Sequence, residues 1–187
     1  MRQIHWPARS RSRHGLAIPH PVQIEARLFA DDGETPNNPT LPLVLMRGSG
    51  VVAEDDPAGW FEERFASHGW TSAWRWGVYS YHHFHTTNHE VLGVVIGQAR
   101  LMLGGARGEE FVVRPGDVIV IPAGVGHKCL EASEDFMVVG AYPRGEEPDL
   151  MKSSEKKSDR ERIAAVPLPA EDPIHGADGP LFEHWKA

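Results

Sequence analysis

Cysteine is nearly absent: Cys129 is the only one in 187 residues. A lone thiol excludes an intrachain disulfide framework and makes a reducing compartment, the cytoplasm, the simpler expectation. Long apolar runs are missing too. None approaches the roughly 18–20 residues that a membrane span needs, so no membrane partner is expected. The first 24 residues contain no acid, yet they carry Arg2, Arg9, Arg11 and Arg13. The rest of the chain sets 15 of the 19 Lys and Arg against all 26 Asp and Glu. An acidic body of that kind is ill suited to a phosphate backbone, which argues against nucleic acid as a partner. The basic arm lacks the apolar run of a secretory signal, and Pro7, Pro19 and Pro21 oppose a continuous amphipathic helix. Residues 1–23 are therefore expected to form a flexible extension. No Gly-rich phosphate loop, Ser-His-Asp arrangement or Cys-x-x-Cys pair stands out.

What is present is a globular composition, with 41% hydrophobic residues, six Trp and seven Phe. The length suits one domain with a full core. Residues 24–30 and Leu43–Arg47 read as strands around the turn-rich DDGETPNNP stretch. Asp56-Pro57 opens a short helix, since Asp is a favoured N-cap and Pro suits the first turn. Trp60, Phe61 and Phe65 give that helix an apolar side. A run of short strands follows at 73–85, 91–96, Ala99–Leu103, 111–113, 117–121, 128–130 and 136–142. Gly and Pro punctuate them, which indicates an all-β sandwich or small barrel over residues 24–142. Residues 143–187 form an appended tail. Its first part, 144–157, is polar and 158–165 read as a short helix. The Pro/Gly-rich remainder is expected to be an irregular strap ordered against the barrel, because Leu168, Ile174, Leu181, Phe182 and Trp185 would not suit a solvated tail.

The chemistry concentrates in two segments. In the first, His83 and His85 stand two apart, so on a strand they project to one face, and Glu90 follows after four residues that can turn the chain. In the second, Gly116-DVIVI-Pro122-Ala123-Gly124-VG-His127, the glycines and proline supply a turn before His127. Three imidazoles and a carboxylate suit a divalent first-row metal. Burying them together with no ion would be costly. Fe(II), Mn(II), Ni(II) and Zn(II) all accept such ligands, so the sequence leaves the ion's identity open.

These segments resemble the paired signature motifs of the cupin superfamily. The first fits G-x5-H-x-H-x4-E-x6-G at every fixed position. The second fits G-x5-P-x-G-x2-H and then carries Glu131 where the pattern has a non-ligand Asn. Together with DDGETPNNPTLPLVL, VVGAYP and the PLPAEDP…GPL tail, they resemble the YjlB-like bacterial single-domain cupins. The resemblance implies one double-stranded β-helix, a metal ion held by His83, His85, Glu90 and His127, and a cytoplasmic homodimer.

Other residues carry weaker expectations. Tyr79 and Tyr81 share the parity of His83 and would face the barrel interior, either orienting a substrate or packing in the core. Arg75 would share that face if no bulge intervenes, and would pair a substrate carboxylate there or a surface acid at the mouth. His82 and His89 alternate away from the ligands and are expected at a surface or dimer face. Cys129 points inward as an inert buried thiol, and Glu131 is a solvated turn residue. Val91, Val95, Trp74 and Trp76 lie opposite the ligands, an apolar face that a second copy would cover. The expected function is that of an enzyme acting on a small polar metabolite through the ion. A non-catalytic metabolite-binding or sensing module is the alternative. The strap is expected to wrap around the barrel and limit access to the ion.

Overall fold

The computed structural model describes residues 23–50, 55–154 and 156–186. Apart from Gln23, the basic arm lies outside the described residues. In chain order the elements are β1 Gln23–Arg27, β2 Leu43–Arg47, α1 Pro57–Ser67, β3 Trp70–Trp76, β4 Glu90–Ile96 and β5 Ala99–Leu103. They continue with β6 Glu109–Val113, β7 Val118–Ile121, β8 His127–Ala132, β9 Met137–Pro143, α2 Lys157–Ala164 and α3 Leu181–His184. Six strands pair in the order β1-β2-β7-β4-β9-β3, facing a three-stranded sheet ordered β6-β5-β8. Every pairing is antiparallel. This is an all-β double-stranded β-helix.

Alternation along the strands divides the core in two. Leu43, Leu45, Leu92, Val94 and Ile119 point inward against Leu101, Leu103 and Phe111 of the smaller sheet. Their neighbours Val44, Met46, Val91, Val95 and Val139 point outward. They are buried there by Phe61 and Phe65 of α1 and by Ile174, Leu181 and Trp185 of the strap. The large sheet is thus apolar on both faces because the chain covers both itself. Gly93 lets α1 lie this close, since a Cβ there would collide with the Phe61 ring. At the start of α1 the Asp56 carboxylate accepts from Gly59 N at 3.0 Å, with Pro57 opening the first turn.

This self-covering corrects the expected dimer face. Val91 and Val95 are buried by the chain's own helix and strap, while Trp74 packs toward the inner core instead. The strap is also less irregular than expected, as Leu181–His184 form a short helix. Asp172 holds the strap locally by accepting from the backbone N–H groups of Ile174, His175 and Leu181.

A third correction concerns the strand expected over 73–85. It begins earlier, at Trp70, and ends at Trp76. Its register shifts between Thr71 and Trp74, where Ser72 adopts φ 54°. The bulge turns Trp74 inward and Arg75 outward. The chain then leaves the ladder and returns at His83, which forms a backbone bridge with His127 through bonds of 2.9 and 3.2 Å. Irregular backbone over residues 77–82 breaks the parity that simple alternation assumes.

Candidate metal centre

His83 and His127 are brought together by that bridge, and His85 and Glu90 approach from the turn leading into β4. All four are buried, at 2–7% exposure. The ligand nitrogens of His83, His85 and His127 lie within 4.8 Å of one another. Glu90 adjoins two of them, its Oε2 standing 3.2 Å from His127 Nε2 and 3.5 Å from His85 Nε2.

The outward-facing nitrogens fix how these rings are used. His83 Nδ1 meets Tyr81 O at 3.2 Å, His127 Nδ1 meets Val125 O at 3.1 Å, and His85 Nδ1 meets Asp149 O at 2.5 Å. A carbonyl oxygen only accepts, so each Nδ1 carries a proton and Nε2 is the nitrogen left to face the centre, where it has a lone pair whenever the ring is neutral. Burial and then the neighbouring His127 drive His83 down to about 3, which keeps it neutral. Burial opposes charge on Glu90 and His85 as well, but their mutual attraction outweighs it. The Glu90 carboxyl is held below its ordinary range and His85 is raised. Glu90 Oε2 is nevertheless buried without a hydrogen bond. An orphaned carboxylate oxygen beside converging Nε2 atoms is a donor set that fits a divalent cation.

Above the centre lies a cavity of about 320 Å³. Its walls include Trp74, Trp76, Tyr79, Tyr142, Glu147 and Leu150. Trp74 lies flat across β9 because Gly140 has no Cβ to hold it off, and its Nε1 donates to Tyr142 Oη at 2.8 Å. The far wall comes from the polar segment after β9. It is clamped by paired backbone bonds of 2.9 Å between Phe84 and Met151. The Asp149 carboxylate adds to the clamp by accepting from the backbone N–H and the hydroxyl of Thr86.

Among the remaining candidates, Tyr79 reaches the cavity. Tyr81 stacks behind it at 4.9 Å and faces Lys152. Arg75 does not reach the cavity, because the bulge turns it toward α1, where both Glu62 oxygens take it at 2.7 Å. His89 is not at a surface: it is fully buried, accepts from Ala123 N at 2.9 Å and packs 4.7 Å from the Trp185 ring. Burial pulls it down to about 4. His82 is half-buried. Cys129 packs at the edge of the inner core, its thiol pushed up by burial, and Glu131 is solvated beside Arg100. The strap lies on the opposite side of the large sheet and does not limit access to the centre; residues 147–150 do. Tyr142 was accessible to strand alternation, as it shares parity with inward-facing Val138. Nothing in the composition of 144–157 marked Glu147 or Asp149.

The model of the cupin domain matches residues 76–139. Over 165 residues the chain is 40% identical to the uncharacterized protein YjlB of Bacillus subtilis, a match spanning 87% of this chain and 97% of the relative. The chain belongs to the YjlB-like cupins. Solved structures similar to this cupin are more distant. A DUF861 family protein from Thermotoga maritima is 20% identical, with a TM-score of 0.29, over 43% of this chain and 83% of its own. Acireductone dioxygenase from Bacillus anthracis, with cadmium in its active centre, is 21% identical, with a TM-score of 0.31, over 51% of this chain and 58% of its own. No helix among this cupin's described residues is long and apolar enough to cross a membrane.

Proposed function

We propose that this cupin is a divalent-metal-dependent enzyme acting on a small molecule in the cavity between Trp74 and Leu150. His83, His85, Glu90 and His127 hold the ion, which when bound supplies Lewis-acid or dioxygen-activating chemistry. The carrying observation is the donor set itself: three converging Nε2 atoms, each oriented by an Nδ1–carbonyl bond, and an orphaned carboxylate oxygen beside them, all opening on one cavity. Glu90 serves as ligand rather than base. Trp74 and Tyr142 form the hydrogen-bonded flank that orients the bound molecule, with Tyr79 beside them. On this reading the barrel of 24–142 supplies the ligands, and the tail of 143–187 contributes first the chamber wall and then the outer cover. The lone Cys129 favours a cytoplasmic setting.

The second reading is a binding or sensing module with the same ion, favoured by a cavity wall that offers for proton transfer, beyond the proposed metal ligands, only its tyrosines and the rim carboxylate of Glu147 among the described residues. Elemental analysis of protein purified from its own host tests the shared premise, with about one divalent ion per chain expected. Protein that carries no ion and takes none up on reconstitution refutes both readings. Anaerobic spectroscopy with candidate metabolites then separates them, since turnover supports the enzyme and stoichiometric binding without product supports the module.

A further inference from the structure

The mouth of the chamber is carbon on both sides and carries one acid. Trp74, Trp76 and Tyr79 form one flank and Glu147, Pro148 and Leu150 the other. Trp76, Tyr79 and Leu150 are 72, 48 and 45% exposed, which makes them three of the six large exposed hydrophobic side chains among the described residues. Scattered exposed apolar residues are ordinary, but three around one cavity make a binding surface.

The charges around it are lopsided. No Lys or Arg lines the cavity among the described residues. Arg75, expected as a carboxylate anchor, is bound to Glu62, and Lys152 sits over the Tyr81 ring. The ion pairs of the wall run from Arg162 to Asp149 and Asp159. They leave Glu147 without a cationic partner among the described residues. A divalent ion would more than offset Glu90 and leave the centre with a net positive charge, while Glu147 keeps its uncompensated negative charge at the mouth.

We propose that the natural ligand carries a small organic ammonium group, seated at the mouth against the aromatic faces and Glu147, with an oxygen-bearing end directed at the metal centre. The faces of Trp and Tyr attract cations through their ring quadrupoles, and a carboxylate beside them adds to that field. The Trp74 N–H is already given to Tyr142, so this indole offers a face and not a donor. An anionic head group seated at the mouth would meet Glu147 with no Lys or Arg among the described residues to hold it. This ligand class rests on reading the cavity as the substrate chamber of the metal centre.

Calorimetric titration of the full-length protein, metal-loaded and chelator-stripped, tests the inference with three probes of matched shape. These are choline, the uncharged alcohol in which carbon replaces its quaternary nitrogen, and the anion of tert-butylacetic acid. In the chelator-stripped protein choline is expected to bind about tenfold more tightly than the alcohol, and the anion most weakly. In the metal-loaded protein the ion itself would take the anion's carboxylate. Glu147→Gln should weaken choline and leave the alcohol unchanged, whereas Trp76→Ala should weaken both. Equal binding of choline and the alcohol, tighter binding of the anion to the stripped protein, no binding of any probe, or a choline affinity indifferent to Glu147→Gln overturns the proposal. Normal metal content without the cation preference sinks the ligand class alone. A cation preference in protein that never takes up metal sinks the metal reading alone.

Discussion

The His85 ring donates through Nδ1 to the main-chain oxygen of Asp149, a residue 64 positions further along the chain and outside the barrel. One bond therefore joins an imidazole of the buried His/Glu cluster to the wall of the cavity above it. The Asp149 side chain anchors that wall by accepting from Thr86 and Thr87, with Arg162 3.6 Å away.

Asp149→Ala should loosen the wall and free the His85 ring. Loss of an outer partner of this kind typically lowers metal affinity by about 10–100-fold. Competition with a chromophoric chelator reads the change directly. An affinity equal to the wild type's would show that the backbone carbonyl holds its place without the side chain.

The His83→Ala/His85→Ala double variant should lose the ion while keeping its fold. The barrel is held by the apolar inner and outer cores, to which neither imidazole belongs. Elemental analysis with far-ultraviolet circular dichroism checks both halves, and full metal occupancy in the variant would remove these residues from the ligand set.

Acid should destabilise the metal-stripped protein partly through His89. Its folded pKa is about 4, below the ordinary value of 6.5. Between those values the unfolded chain binds the extra proton, so the stabilising contribution is complete above 6.5 and falls away toward 4. His83 works in the same direction and His85 in the opposite one, so the informative quantity is the difference from a variant. His89→Asn, which keeps an acceptor for Ala123 N, should show a shallower loss between pH 7 and 5 in urea unfolding. Identical slopes would acquit His89.

Gly140→Ala should displace the Trp74 indole that lies across it. Overpacking at such a contact costs about 1–3 kcal/mol. Because Trp74 is the donor to Tyr142, ligand binding should weaken alongside the thermal midpoint. A variant that loses stability and binds the choline probe normally would show that the flank tolerates the shift.

Trp185→Ala should cost about 3–5 kcal/mol, as expected for a buried Trp, since this side chain is 1% exposed and donates to Pro42 O at 2.7 Å. Metal content and probe affinity, measured well below the melting temperature, should stay at wild-type values because the strap lies across the sheet from the centre. A change in either would restore the idea that the strap controls access.

The convergence of the four buried residues was legible because each is tied to a local rule: His83 and His85 to alternation, His127 to a Gly/Pro turn, Glu90 to the start of a strand. The strands were legible for the same reason. Arg75 was misplaced because one bulge at Thr71–Trp74 reverses parity, and Ser72 does not announce a left-handed residue as a glycine would. His89 was taken for a surface group because alternation gives a direction but not what covers it. The chamber wall was hidden for a different cause. Glu147 and Asp149 reach the site by a long return of the chain, in a stretch whose composition reads as solvent.

The position of the strap also bears on the order of assembly. Its apolar side chains rest on outward residues of β2, β4, β7 and β9 together, so no platform exists for it until those strands have paired. The His83–His127 bridge needs only the barrel. Docking of the strap is thus expected to follow the pairing of those strands and to be the first contact to reverse. Amide exchange in residues 166–186 should report openings that leave the ligand-bearing strands closed.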